Sequence, residues 1–362
     1  MTNHKKHIIG IQQIGIGVRD ANAAFRWYRK NFGFDIHVFE DDAEVTLMLP
    51  FTGGKIWKRH AILAMNLNGG AGVEIWQYKD RVAENSREEI RLGDYGIFCP
   101  RMKTNNVKKT FQKFKETKIN LISDIVKDPL GIEHFFLKDI YGNIFQVINE
   151  TSWFGKKDYM LGGISGCMIG VSDIEKAKKL YSNILGYDKI LYDKKEIFDD
   201  LNNLAGGKNK IRRMLLTHSK MRSGGFARLL GESKIELIQI PEHKKDEAGK
   251  MPKKIFNNRF WGDLGYIHLC FDITGMNELK KECSDNGFPF CADSNKSFDM
   301  GEAAGHFSYI EDNDGTLIEF VETHKVPVIK KLGIYLNLKN RNPEKSLPDW
   351  MVKMMAIRRV KD

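Results

Sequence analysis

Two hydrophobic periods take turns along the chain, and the way they take turns repeats. Over residues 8–18, Ile14, Ile16 and Val18 fall on one face and Gln13, Gly15 and Gly17 on the other, the period-two pattern of a half-buried strand. Asp20 is placed to cap a helix. Its apolar stripe runs through Ala21, Ala24, Phe25, Tyr28 and Phe32 before Gly33 stops it. Residues 164–171 are again strand-like, Asp173 caps, and Ile174, Ala177, Leu180, Tyr181 and Ile184 form the stripe that Gly186 ends. Cap and stop lie 13 residues apart in both copies (20 to 33, 173 to 186).

Weaker copies fill the intervals. Residues 95–102 lead into a helix through Asn106, Val107, Phe111 and Phe114, and residues 266–273 into one through Gly275, Met276, Leu279 and Cys283. Further strand-like runs follow each opening: 34–40, 45–49, 59–65 and 72–78 in the first copy, 121–125, 134–138 and 143–148 in the second, and 189–192, 213–216, 226–230 and 234–240 in the third. A strand–helix–strands unit of roughly 70–85 residues, repeated four times, predicts an α+β fold of four βαβββ modules. Pairing in chain order would give an N-terminal domain at residues 1–153 and a C-terminal domain at 160–323, joined by the linker at 149–159. The Lys-rich stretch 241–263 and the Asp/Asn/Gly-rich stretch 196–210 read as loops. The tail, 324–362, breaks the repeat. Pro348 suits a first helical turn there, and Trp350, Met351, Met354 and Met355 form an amphipathic stripe suited to core or subunit packing, including a homodimer, or to a lid.

Composition narrows the class. The 362 residues are 42% hydrophobic and 29% charged, an ordinary globular balance, and no apolar run approaches a membrane span. The cysteines (Cys99, Cys167, Cys270, Cys283, Cys291) form no CxxC pair, which suits buried thiols in a reducing cytoplasm. The net charge of +10 is spread, with small clusters at Lys244-Lys245, Lys253-Lys254 and Lys330-Lys331 and no nucleic-acid module, so a solvated surface is expected and nucleic acid is not an expected partner.

The candidate chemistry lies in residues 266–321. Ile267, Leu269, Phe271 and Ile273 share one face of a strand, leaving His268 on the other with Tyr266, Cys270 and Asp272. After the turn Asn313-Asp314-Gly315, a last strand carries Glu319 in mid-span. A His and a Glu on facing strands of one curved sheet could ligate a metal, but taken alone they suit a solvated or hydrogen-bonded polar pair better.

The openings Ile14-Gly15-Ile16-Gly17-Val18-Arg19-Asp20 and Met168-Ile169-Gly170-Val171-Ser172-Asp173, the stop Asn183-Ile184-Leu185-Gly186, and the endings Asp139-Ile140-Tyr141-Gly142-Asn143-Ile144-Phe145-Gln146 and Asp312-Asn313-Asp314-Gly315-Thr316-Leu317-Ile318-Glu319 resemble the vicinal oxygen chelate superfamily, which includes glyoxalase, extradiol dioxygenases and bleomycin-resistance proteins. The resemblance covers residues 8–323. It implies modules paired into two glyoxalase-like domains, each a curved mixed sheet around a cleft with helices outside, and a metal on one position of the first and last strand of each module. Those positions are Gln13 and Glu74, Cys99 and Gln146, Gly166 and Glu236, and His268 and Glu319.

In the C-terminal half this gives His268, Glu319 and Glu236 as metal ligands, with Gly166 an open corner and Glu236 or Glu319 as the catalytic base. The implied cofactor is a divalent ion (Zn, Fe, Mn, Ni or Mg) and the implied activity lyase- or isomerase-type proton transfer on a small oxygen-chelating substrate. One alternative is a ring-cleaving dioxygenase with His306 as a further ligand. Another is a metal-free binding or resistance protein whose cleft is lined by Phe226, Trp261, Phe298 and Tyr309. Arg212, Arg213 and Arg259 are candidates for holding an anionic substrate.

Overall fold

A computed structural model describes residues 5–155, 160–241, 249–295, 298–299, 304–329, 334–338 and 341–361. Lys244, Lys245, Lys330, Lys331 and the Phe298 side chain lie outside the described residues.

The first module is β1 (His7–Gly17), α1 (Ala21–Phe32), β2 (Ile36–Glu44), β3 (Lys58–Met65) and β4 (Gly72–Tyr78). The second is β5 (Gly96–Thr104), α2 (Val107–Glu116), the short β6 (Asn120–Leu121) and β7 (Val126–Lys127), β8 (Glu133–Lys138) and β9 (Ile144–Asn149). The third is β10 (Leu161–Gly170), α3 (Ile174–Lys178, continued as a π-turn to Ile184), β11 (Lys189–Glu196), β12 (Ile211–Thr217), α4 (Ala227–Leu230) and β13 (Lys234–Gln239). The fourth is β14 (Gly265–Thr274), α5 (Met276–Asp285), β15 (Ala292–Asp293), β16 (Phe298–Asp299), β17 (Ala304–Glu311) and β18 (Leu317–Ile329), with β19 (Ile334–Asn337) added at the edge.

The expected caps do their work. Asp20 accepts from the Ala23 amide at 2.8 Å, Asp173 from Glu175 at 2.8 Å and Asn106 from Lys109 at 3.0 Å, while Gly33 takes the left-handed turn that ends α1. The predicted stripes of α1 and α3 are buried throughout. Residues 226–230, read as a strand, instead form α4 between Gly225 and Gly231, because Ala227, Leu229 and Leu230 bury together against Ile9 and Ile36.

Pairing in chain order does not hold. One sheet runs β15-β17-β18-β14-β1-β4-β3-β2, joining the first and fourth modules through the antiparallel pair β1–β14. The other runs β11-β12-β13-β10-β5-β9-β8-β6, joining the second and third through β5–β10. The chain is therefore nested, outer modules around inner ones. The first and second modules, and the third and fourth, do touch, but through their helices and turns. The Tyr28 hydroxyl of α1 donates to Asp139 at 2.5 Å, and the Tyr181 hydroxyl of the third module donates to Asp312 at 2.8 Å. Each Asp also ties its own turn, Asp139 through the amides of Tyr141 and Asn143 and Asp312 through those of Asp314 and Thr316. The repeated Asp-x-x-Gly is thus a structural joint. One large core, from Ile14 and Phe32 to Phe145, Tyr181 and Phe320, fills the space between the two sheets.

The tail returns to the first sheet, where Arg359 bridges Ile36 and the Val360 amide donates to Asp35 at 2.9 Å. Its helix spans only Asp349–Lys353; Val352 is the buried residue, Met351 and Met355 pack beside it, and Trp350 stands in solvent. No helix among the described residues is long and apolar enough to cross a membrane.

Candidate metal centre

The nested pairing decides which side chains meet. On β1, Gly15 stands opposite His268 of β14 on one side and Glu74 of β4 on the other, while Cys270 stands opposite Gln13 and Glu319. Gln13, Glu74, His268 and Glu319 therefore project from four adjacent strands onto one concave face. One ligand atom each from Glu74, His268 and Glu319 lies within 4.8 Å of the others. His268 Nε2 is 3.0 Å from Glu74 Oε2 and 3.2 Å from Glu319 Oε2, yet makes a well-aligned hydrogen bond to neither. Gln13 Nε2 donates to Glu74 at 3.2 Å and to Glu319 at 3.5 Å, and Gln13 Oε1 is buried without a partner. Gly15 makes the arrangement fit, since a Cβ there would stand 2.4 Å from the His268 ring.

The surroundings are aromatic. Tyr309 of β17 donates its hydroxyl to Glu319 Oε1 at 2.7 Å and turns its ring edge to His268. Trp261, from the loop before β14, lies nearly parallel to His268 with ring centres 6.2 Å apart and meets Trp76 edge-on at 4.8 Å. His268 is fully buried, and the centre opens along Glu74, whose side chain keeps 12% exposure.

Burial opposes charge on all three groups, with different outcomes. For Glu74, the close approach and charge of His268, with Arg59 and Gln13, outweigh burial and hold the carboxyl below its ordinary value. For Glu319, burial and the charge of Glu74 win over His268 and push the carboxyl up. His268 is raised, because the two carboxylates outweigh its burial.

His268 and Glu319, expected to meet, lie 3.2 Å apart, but Glu236 does not join them. It sits at the equivalent place in the other sheet, fully buried, where Arg101 Nη1 reaches Oε2 at 2.8 Å, Arg213 Nε pairs with Oε1 and the Tyr192 hydroxyl donates at 2.5 Å. Arg213 also holds Asp200 at 2.8 Å, and His134 reaches Asp200 at 3.2 Å. Burial opposes the charge of Glu236, but Arg213 and Arg101 hold its carboxyl below the usual range. Two guanidinium groups thus occupy the ground a cation would take.

Gly166 is no vacant corner either. Its φ is +148°, and a Cβ would lie 1.8 Å from the Lys234 carbonyl oxygen. The residues that sequence reasoning assigned elsewhere are Gln13 and Glu74. Their positions were legible; their partnership with His268 and Glu319 was not. Arg212 pairs with Asp193 and Glu175 at the surface, Arg213 is committed as described, and Arg259 donates to the carbonyls of Leu264 and Ile255. His306 bonds Asp293 at 2.5 Å and lies an odd number of residues before Tyr309 on a regularly paired stretch of strand, on the opposite face. Trp261 and Tyr309 do line the cleft.

The sequence model of the Glyoxalase/Bleomycin resistance protein/Dioxygenase superfamily matches residues 10–147. That stretch spans the first two modules and carries the superfamily's sequence pattern. Among solved structures, glyoxalase I from Zea mays superposes with a TM-score of 0.53 at 13% identity, over 88% of this chain and 92% of that one. A candidate dioxygenase from Bacillus subtilis subsp. subtilis str. 168 gives 0.52 at 12% identity, over 88% and 86%. At these identities the likeness is one of fold, and it covers 88% of this chain. No curated protein sequence matches the chain.

Proposed function

We propose that this chain is a metal-dependent enzyme of the lyase or isomerase type, moving a proton on a small substrate that presents two adjacent oxygens. The observation that carries the reading is the convergence of Gln13, Glu74, His268 and Glu319 from both ends of the chain. Their donor set fits a divalent ion. It offers one imidazole nitrogen, two carboxylates and one amide, and the amide oxygen is a buried acceptor with nothing to accept from. The imidazole and the carboxylates crowd one point without satisfying one another.

A divalent ion held there would act as a Lewis acid toward paired substrate oxygens and favour the charge that develops as a neighbouring C–H proton leaves. Glu319 is assigned to take and return that proton. Tyr309 fixes its Oε1, so that Oε2 faces the centre. Glu74 keeps its negative charge as an anchor, and Trp76, Trp261 and Tyr309 limit the water that reaches the exchange. The ring-cleaving alternative calls for two His and one carboxylate, and this centre offers one His.

Elemental analysis of purified wild type, Glu74→Ala, His268→Ala and Glu319→Ala is the first test. About one equivalent of metal is expected in wild type and a loss in each variant, as the four donors form one site. Deuterium exchange from D2O into α-hydroxycarbonyl compounds then reads the chemistry. Exchange abolished in Glu319→Gln supports proton transfer; oxygen consumption with catechols and no exchange refutes it.

A further inference from the structure

We infer that Trp261 is a substrate-contacting residue, and that the centre is built for an uncharged, planar chelator whose flat body lies in the aromatic concavity. This rests on the metal-dependent reading above and narrows its substrate class.

The first observation is an unmet donor. The indole Nε1 of Trp261 is buried and has no hydrogen-bond partner, while its ring faces His268 at 6.2 Å. A buried N–H without an acceptor is costly, and indole nitrogens normally find one. The loop does not leave this one stranded through looseness. The Trp261 amide donates to the Phe51 carbonyl at 2.9 Å, and the Tyr78 hydroxyl donates to the Trp261 carbonyl. Asp263 ties the loop further through Arg81 at 2.7 Å, the Glu84 amide at 2.8 Å and the Phe260 amide at 2.8 Å. A donor held this firmly beside the centre suits an oxygen of a bound chelator.

The second observation is the charge balance. Glu74 and Glu319 already offset a divalent ion. The arginines whose charge bears on this face are committed: Arg59 forks onto Asp41 at 2.6 and 3.2 Å, and Arg81 is engaged by Asp263. Among the described residues we find no uncommitted cation at the concave face to compensate a doubly anionic ligand. The third is shape. Trp76, Trp261 and Tyr309 meet edge to face and give flat walls, the geometry that accepts a planar, polarisable body.

The test uses the full chain loaded with one divalent metal and three probes in calorimetric titration: maltol, an uncharged planar ring with adjacent oxygens; acetohydroxamic acid, uncharged without a ring; and oxalate, a dianion. Maltol is expected to bind tightest. Trp261→Phe, which keeps a ring and removes the N–H, should weaken maltol by about tenfold, the worth of one hydrogen bond. Metal content and melting temperature of this variant should stay at wild-type values. Equal maltol affinity in Trp261→Phe overturns the contact, and oxalate or acetohydroxamate binding as tightly as maltol overturns the substrate class. The probe ranking in wild type decides the class even if the variant fails to fold. Wild-type protein that takes up no metal overturns the functional reading itself, and this inference with it.

Discussion

Gly15→Ala is the smallest change that should disable the centre. The perturbation is one methyl group on a strand whose backbone conformation at residue 15 is open to any residue, since Gly15 is absent from the positive-φ positions. An added Cβ would stand 2.4, 2.6 and 2.7 Å from Cε1, Nε2 and Nδ1 of His268. Carbon contacts settle at about 3.5–4.0 Å, so the imidazole must retreat by at least about 1 Å. It cannot do so freely, because the ring is fully buried and hemmed by Trp261 and Tyr309. Overpacking of this kind costs about 1–3 kcal/mol. It also carries Nε2 away from the two carboxylates it faces. The assay is metal stoichiometry together with thermal melting, with Gly10→Ala on the same strand as the control. There the new Cβ meets only the side chain of Leu230, at 3.2 Å or more. Gly15→Ala should lose most of its metal and melt several degrees lower, and Gly10→Ala should keep its metal. Full metal occupancy at unchanged melting temperature in Gly15→Ala would refute the placement of His268.

Three further outcomes follow from the same geometry. Glu236→Ala should leave metal content intact in protein that folds, but cost about 3–5 kcal/mol in denaturant unfolding, because Arg101 is left buried without its carboxylate and Arg213 with Asp200 alone. Tyr309→Phe should lower metal affinity by about 10–100-fold in a competition titration while the fold persists, since it removes only the hydrogen bond that orients Glu319. Asp272 is pushed up to about 8, chiefly by burial, so the folded chain keeps a proton that the unfolded chain releases near its ordinary value of 3.8. Stability should therefore fall as pH rises from about 4 to about 8, and Asp272→Asn should flatten that slope, gaining on wild type at pH 8 and not below pH 4 in parallel unfolding titrations.

The modules were legible because each is written locally. A capping Asp or Asn, an apolar stripe and a stop glycine need only their own neighbours, and the structure keeps them at residues 20–33 and 173–186. The pairing was not legible, because the first strands are interchangeable as patterns. Ile14 and Ile16 of β1 would bury as well beside β5 as beside β14. What selects β14 is three-dimensional: Tyr28 and Tyr181 dock on the turns of the modules that follow theirs, which sets the first module against the second and the third against the fourth and leaves β1 to meet β14. His268 and Glu319 were found because both belong to one module. Glu74 was assigned to the other half, and Glu236 was set beside them instead, because that choice depends on which modules share a sheet. The sign was present but faint: Arg213 lies on β12 beside the strand of Glu236 and Arg101 on β5 across β10, and buried cations there are difficult to reconcile with a metal.

The nested topology has an energetic consequence. The candidate centre draws Gln13 and Glu74 from the first module and His268 and Glu319 from the fourth, so no contiguous half of the chain carries it. An ion there would tie the first module to the last across the β1–β14 seam and would bind only when both are in place. Binding to the folded state alone raises stability by RT ln(1 + [L]/Kd), about 2.7 kcal/mol at a hundredfold excess over Kd. The inner sheet gains nothing from this, and it has no need of it: Arg101, Glu236, Arg213 and Asp200 already neutralise one another across the β5–β10 seam. The same fold thus joins its two module pairs in two ways, one with charges that the chain itself balances and one with a donor set that would suit a cation. That difference is why chemistry is assigned to the outer pair and scaffolding to the inner one.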